Sequence, residues 1–435
     1  MKRFNHLYHQ ICSFENILKA SKKARLGKRL QDTVAGFEFN LESEITRLSH
    51  ELITKSYRPG PYREFHIVEP KKRMISAAPY RDRVVHHALC SIIEPIFDKT
   101  FISDSYANRI NKGTHKAVQR YQHFARRYSY VLKCDIKKYF PSIDHDILKS
   151  LIERKIKCKD TLWLISLILD NSNTQEGVMD YYLGDTLFTP LERRKGLPMG
   201  NLTSQFFANI YLDKLDHFVK ENLRSKAYVR YVDDFVLFGV DKKGLWKNFK
   251  QIGTFLDSLR LTMHKKKSMV YPVKNGVGFL GHKVFPDYKL LNHGNVIRFR
   301  RKLKKMNKDY LQGNIPLEHV SRSIQGWVAH ASFSNTYRLR KKNIRRVCVL
   351  IIKMVTMTFN TYGVGFICSN KTYKYGTPTE LINKIITFHK RKSRRDWIFI
   401  EKISNVPNSV GVKQRETRNG KFIFSDLYSN HDHIT

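Results

Sequence analysis

Residues 228–239 read YVRYVDDFVLFG, and this stretch constrains the fold more than any other. Tyr, Val and Phe dominate it, so it favours β-structure. Yet Asp233 and Asp234 stand side by side inside it. One buried, unpaired carboxylate is costly, and two neighbours are worse because each charge makes the other harder to ionise. A hairpin turn that lifts both side chains into a cleft, where divalent cations neutralise them, removes that cost. An ordinary exposed turn would also accommodate them. A second acidic strand end favours the cleft. In LKCDIKKYF (132–140), Asp135 ends an apolar strand and is followed by basic and aromatic residues. Asp135 and Asp233, with Asp234 beside them, can hold two Mg²⁺ ions about 3.5–4 Å apart, the spacing used for in-line phosphoryl transfer. One ion would lower the pKa of an attacking 3′-hydroxyl, and the other would stabilise the leaving pyrophosphate.

The charge balance points to the same chemistry. Lys and Arg number 79 against 38 Asp and Glu, a formal net charge of +41. Such self-repulsion calls for a polyanionic partner, with nucleic acid the default. Basic residues recur along the whole chain with aromatics between them, as in surfaces that track a strand and stack on its bases. An apolar content of 41% excludes a disordered chain. Cys12, Cys90, Cys134, Cys158, Cys348 and Cys368 are scattered, and no C-x-x-C suggests a zinc knuckle or a Cys-based nuclease finger. They read as isolated thiols in a reducing cytoplasm. The N-terminal MKRFNHLYHQICSFENILKA is too polar for a signal peptide. The longest apolar run, VCVLIIKMVTMTF (347–359), is interrupted by Lys353 and is shorter than the ~20 residues of a membrane span. It reads as a buried helix or strand. The expectation is a cytoplasmic protein with no membrane partner.

Hydrophobic spacing predicts helices over 1–60, up to Pro59-Gly60-Pro61. A strand, a basic turn, a second strand and a helix after Pro79 follow in 62–97. GTHKAVQRYQHFARRY (113–128) reads as an amphipathic basic helix, and YVLKCDIKKYF (130–140) as a strand running into a turn at Pro141. A Gly-rich turn then feeds one long helix in 196–223, ahead of the 228–239 hairpin, a helix, and a second hairpin in 276–285. From residue 296 the chain becomes strongly basic and helical, which places a boundary near 290–295. The tail from about 346 suggests no fold.

Six segments, taken in order, resemble reverse transcriptases of the bacterial group II intron and diversity-generating retroelement-like lineage. YVDD (231–234) resembles their catalytic box, and LKCDIKKYFPSIDH (132–145) their first carboxylate strand. GLPMGNLTSQFFANIYLDKLD (196–216) resembles the template- and nucleotide-facing motif. HKKKS (264–268) is similar to the lysine-bearing segment, FLGHKVF (279–285) to the primer-grip hairpin, and VEPKKRMISAAPYRDRVVHHAL (68–89) to the fingers strands. The resemblance spans roughly residues 20–345. It implies an α+β right-hand polymerase with fingers, a palm of antiparallel sheet and helices, a helical thumb and a C-terminal extension. The corresponding segments are a helical start (1–60), part of the fingers (61–130), a palm with a fingers insertion (131–290), a thumb (291–345) and a basic extension (346–435).

The implied activity is RNA-templated DNA synthesis, with two Mg²⁺ ions, dNTPs, a template RNA and a cDNA product. Asp135, Asp233 and Asp234 would be catalytic, and with Ile136 they would surround the metals. Lys267 would steady or protonate the departing pyrophosphate, although Lys265 and Lys266 leave the register open. Lys71, Lys72 and Arg73 lie in a turn where cations can meet a triphosphate; Lys72 and Arg73 match best, with Arg81 a further candidate. Phe140 would pack under the incoming sugar and exclude a 2′-hydroxyl, so the product should be DNA. Viral RNA polymerases usually have a polar residue there, and Gly where this chain has Val232. Gly200 would allow close backbone approach to a base pair, with Gln205 beside it. GNLTSQ, with Met199 before the Gly, departs from the intron enzymes' Gln-Gly…Ser-Pro and resembles diversity-generating retroelements, which puts high fidelity in doubt. Tyr231, Gly281 and His282 would contact nucleic acid, as would Arg298, Arg301, Lys302 and Lys305 on the thumb helix. Trp327 and Tyr337 either stack on bases or belong to the core. Three roles follow: copying a cognate structured noncoding RNA in antiphage defence, serving a mutagenic retroelement, or assisting RNA folding or splicing without catalysis.

Overall fold

The computed structural model describes residues 3–68, 72–172 and 180–343. Lys71, the 347–359 run and the basic extension lie outside them. The chain divides into two compact units, Met1–Asn295 with Phe333–Thr336, and Val296–Ser332 with the chain from Tyr337.

The first unit opens with helices α1 (Tyr8–Cys12), α2 (Phe14–Ala24), α3 (Asp32–Phe39) and α4 (Leu41–Ile53). Ser13 caps α2, its hydroxyl accepting the Asn16 N–H at 3.4 Å. Ile45, Leu48 and Leu52 form the buried stripe of α4. The hairpin β1 (Arg63–Ile67) and β2 (Arg73–Ala77) follows, then α5 (Tyr80–Asp98), on which α1, α2 and α3 pack.

Next come α6 (Thr114–Ala125), β3 (Tyr130–Cys134), α7 (Tyr139–Ser142), α8 (His145–Glu153), α9 (Lys159–Asp170), α10 (Thr189–Glu192) and α11 (Leu202–His217). After these lie β4 (Tyr228–Tyr231), β5 (Asp234–Gly239), α12 (Lys242–Ser258) and β6 (Met269–Pro272). The four strands form an antiparallel sheet in the order β4-β5-β3-β6. Side chains alternate between its faces. Val131, Val229, Val236 and Phe238 join Ala117, Val118 and Tyr121 of α6 in one core. Leu132, Cys134, Tyr228, Phe235 and Leu237 point into the larger core, which holds apolar residues of α5, α11 and α12. A three-stranded sheet, β7 (Val277–Phe279), β8 (His282–Val284) and β9 (Lys289–Leu291), completes the unit.

Three local expectations are refined. Pro141 sits inside the short helix α7 rather than at a turn, because a first helical turn does not need its missing N–H. The single long helix expected over 196–223 ends at His217 and continues as one wider π turn, Phe218–Asn222. The 276–285 hairpin gains β9 as a third strand.

In the second unit, α13 (His293–Leu311) and α14 (Leu317–Ser332) bury Phe299, Leu303, Met306, Val320 and Ile324. No helix among the described residues is long and apolar enough to cross a membrane.

Candidate active site

The register of the main sheet builds the acidic centre. Cys134 of β3 pairs with Phe235 of β5. Asp135 follows β3 directly and Asp234 opens β5, so the register brings the two to the same end of the sheet. Tyr231 pairs with Asp234, so Val232 and Asp233 form the two-residue tip of the β4–β5 hairpin. Burial first, then the charges of Asp234 and Asp135, push the Asp233 carboxyl up to about 6, while the Arg73 charge acts in the opposite sense. Arg73, the first residue of β2, thus acts on the same centre from another element.

Lys267 pairs with the Asp135 carboxylate. Of the three adjacent lysines, this is the one that the turn after His264 turns onto the acidic centre; the Lys267 N–H donates to the His264 carbonyl, and the His264 N–H to the Asp135 carbonyl. Ile136 is buried and bridges to Met263. Among the described residues, no three His, Cys, Asp or Glu side chains converge closely enough to hold a metal ion as they stand. The donor chemistry nevertheless fits a hard divalent cation. Three carboxylates interact electrostatically, one is held above the normal carboxylate range by burial and then by its neighbours, and all offer oxygen.

The tip is fastened by a residue the sequence reading missed. Val232 adopts φ +57°, a left-handed conformation that a β-branched residue rarely takes. Its carbonyl accepts from Arg230 Nη1 at 3.1 Å. Arg230 is fully buried, and its Nε and Nη2 donate to Asp216 Oδ1 and Oδ2 at 2.7 and 2.6 Å. Nη1 also donates to Asn209 Oδ1 at 3.1 Å, and the Tyr228 hydroxyl donates to Asp216 Oδ1 at 2.7 Å. A lone Arg inside an apolar strand was the available signal, since a buried guanidinium requires a partner.

Beside this clamp, burial and then the Asp216 charge push Asp213 up to about 6 from 3.8. An acid whose folded pKa is raised costs stability as pH rises from the unfolded toward the folded value. Wild-type stability should therefore fall between about pH 4 and 6 through this residue. We expect Asp213→Asn to flatten that part of the profile and to add about 1–3 kcal/mol at pH 7, read by chemical denaturation across pH.

Gly200 lies close to β2. Its φ is +115°, and a Cβ there would meet Ile75 Cγ2 at 2.9 Å. The Ser76 N–H donates to the Met199 carbonyl at 2.9 Å, and the Asn201 side chain bridges Ser76 and Ala78. Gly200→Ala should cost about 1–3 kcal/mol in a thermal melt. Phe140 is half-buried against the larger core, its carbonyl accepting from Leu197 N–H at 2.9 Å. Gln205 is half-buried in the first turn of α11, and Lys72 is exposed beside exposed Arg73. The Tyr231 hydroxyl accepts from Thr114 Oγ1 at 3.2 Å. Gly281 turns β7 into β8 at φ +86°.

Three of the expected contact residues have partners of their own within the protein. Arg81 is paired with Glu51 and stands 5.6 Å over the Tyr57 ring, so its charge is committed to the N-terminal helices. His282 has no exposure; its Nδ1 meets Ser334 Oγ at 2.8 Å and its ring packs edge-on to Phe333. It fixes the hairpin from inside. Within the second unit, half-buried Trp327 stacks on Phe299 with centroids 4.1 Å apart. Arg298, Arg301, Lys302 and Lys305 are all exposed on α13, opposite its buried Val296, Phe299, Leu303 and Met306. Tyr337 is exposed.

Residues 66–284, half of the chain, match the family described as reverse transcriptase (RNA-dependent DNA polymerase). The chain belongs to the reverse transcriptase family. Its fold is accordingly a right-hand polymerase, and the enzyme is an RNA-directed DNA polymerase. Among curated relatives, this reverse transcriptase is 26% identical to protein YkfC of Escherichia coli K12 over 284 residues, 56% of this chain and 72% of that protein. It is 28% identical to the group II intron-encoded protein LtrA of Lactococcus lactis over 205 residues, 46% of this chain but 32% of LtrA. It is also 24% identical to the putative COX1/OXI3 intron 2 protein of Saccharomyces cerevisiae over 346 residues, 64% of this chain and 39% of that protein. The reverse transcriptase thus spans well under half of these intron proteins. A Candida albicans telomerase structure superimposes with a TM-score of 0.37 at 14% identity, covering 82% of this chain and 68% of that one. That superposition is too loose to argue from.

Proposed function

We propose that this enzyme copies a cognate structured noncoding RNA into cDNA in antiphage defence, using two-metal phosphoryl transfer. The observation that carries the chemistry is the electrostatic coupling of Asp233 to Asp234 and Asp135 at the end of one sheet, with Lys267 and Arg73 facing them. Asp135 and Asp233, with Asp234 and the Ile136 backbone, would hold two Mg²⁺ ions, which when bound supply activation of a 3′-hydroxyl and neutralisation of pyrophosphate. Arg73 and Lys72 orient the triphosphate. Lys267, already poised on Asp135, places a positive charge and a proton where pyrophosphate departs. Tyr231 and Gly281 line the nucleic-acid path, and in the second unit the α13 cations track backbone phosphates. The defence role rests on the basic extension after residue 345. Buried free thiols at Cys12, Cys90, Cys134 and Cys158 favour a reducing cytoplasm. GNLTSQ favours a second reading, the reverse transcriptase of a mutagenic retroelement.

Primer extension on an RNA template tests the chemistry: dNTPs and Mg²⁺ should support synthesis, and chelation should stop it. Sequencing RNA and attached DNA that co-purify with the enzyme tests the role. A single recurrent structured RNA supports the first reading, and a template repeat copied with errors supports the second. Phe140→Val should raise ribonucleotide incorporation about tenfold or more, the scale at which a pocket discriminates small groups; a gel of rNTP against dNTP extension checks it.

A further inference from the structure

The basic helix α6 has two dissimilar faces. Ala117, Val118, Tyr121, Phe124 and Ala125 pack on the main sheet. The opposite face points away from that sheet. There, Lys116, Gln119, Arg120 and His123, with Asn111 and Lys112 ahead of the helix, line an open recess of about 390 Å³. Tyr106 completes the lining, and Lys112 Nζ stands 5.1 Å over its ring. Lys116 and Arg120 are one helical turn apart, about 6 Å along the axis. Among the described residues, no carboxylate lines the recess. The nearby Asp104 is buried and already bonded by Arg120 at 2.8 Å and Lys220 at 2.9 Å. Lys116 and Gln119 are exposed.

We propose that this outward face of α6 is a second RNA-binding surface, which grips the phosphate–ribose backbone of a folded RNA outside the catalytic cleft. The proposal rests on the reading that the enzyme stays bound to the RNA it copies. Exposed Lys116 offers a charge to a backbone phosphate, with Lys112 nearby, while Arg120 stays bonded to Asp104. The Asn111 and Gln119 amides both donate and accept, which suits the 2′-hydroxyl, the group that distinguishes RNA from DNA. A free nucleotide is disfavoured because small-molecule sites enclose most of their ligand, whereas this recess is open.

The test compares wild-type, Lys116→Glu and Lys116→Glu/Gln119→Glu full-length protein, with Lys116→Arg as the conservative control. Two probes are used: a labelled, unprimed RNA stem-loop, and a short primed RNA–DNA duplex. For the double variant the expected result is about tenfold weaker stem-loop binding, with the slope of log K against log salt shallower by about 1–2. Lys116→Arg should bind like wild type, and primer extension on the short duplex should be unchanged. Unaltered stem-loop affinity and slope in the double variant would overturn the proposal. So would extension that falls in step with stem-loop binding, which would make this face part of the template–primer channel. Equal loss on a DNA stem of the same sequence would also overturn it, since the surface would then read charge alone. Stem-loop binding does not depend on synthesis, so failure of the wild type to extend a primer would count against the catalytic reading separately.

Discussion

Asp233→Asn protein should fold like the wild type and incorporate almost no nucleotide. The carboxylate is held beside Asp234 and Asp135, and both neighbours make its charge harder to maintain. Removing one of three mutually repelling charges relieves that strain, so the melting temperature should hold or rise. Activity should move the other way. Metal-assisted charge stabilisation at phosphoryl transfer is worth several kcal/mol, so losing one ligand should lower the rate by about a thousandfold or more. Single-turnover extension with a saturating primer–template measures the loss, and a thermal melt on the same sample measures stability. Substantial synthesis by the Asn variant would place the chemistry elsewhere.

The second large effect concerns Arg230. Breaking a buried ion pair leaves an uncompensated charge, so Arg230→Met should cost about 3–5 kcal/mol. Adding Asp216→Asn removes that charge while still accepting the Tyr228 hydroxyl, and should recover much of the stability. It should not recover the rate, because the Val232 carbonyl still lacks its donor. Denaturation curves and single-turnover rates for the two proteins separate these contributions. If the double variant regained wild-type rate, Arg230 would be a purely structural residue.

The strands and most helices were legible because their periodicities are strong. The β3 and β5 runs are short, apolar and β-prone, and the acidic residues at their ends stood out against them. What stayed hidden depends on distance along the chain or on local turn geometry. The Arg230 clamp needs Asp216 and Asn209 from α11, and nothing local to the strand names those partners. Three consecutive lysines could not be ordered until the turn after His264 aimed Lys267 at Asp135. A histidine at a hairpin turn reads as a contact residue, yet Phe333 and Ser334, some fifty residues later, enclose His282. Arg81 was drawn off in the same manner by Glu51, thirty residues upstream.

Val232 carries a consequence of its own. A valine occupies a corner where glycine would sit at ease, so the tip is kept taut rather than slack. Release of the Arg230 tether would let that peptide relax and carry the neighbouring acid out of alignment. The exchange Val232→Gly would loosen the corner without touching the tether, making alignment a matter of chance instead of tension.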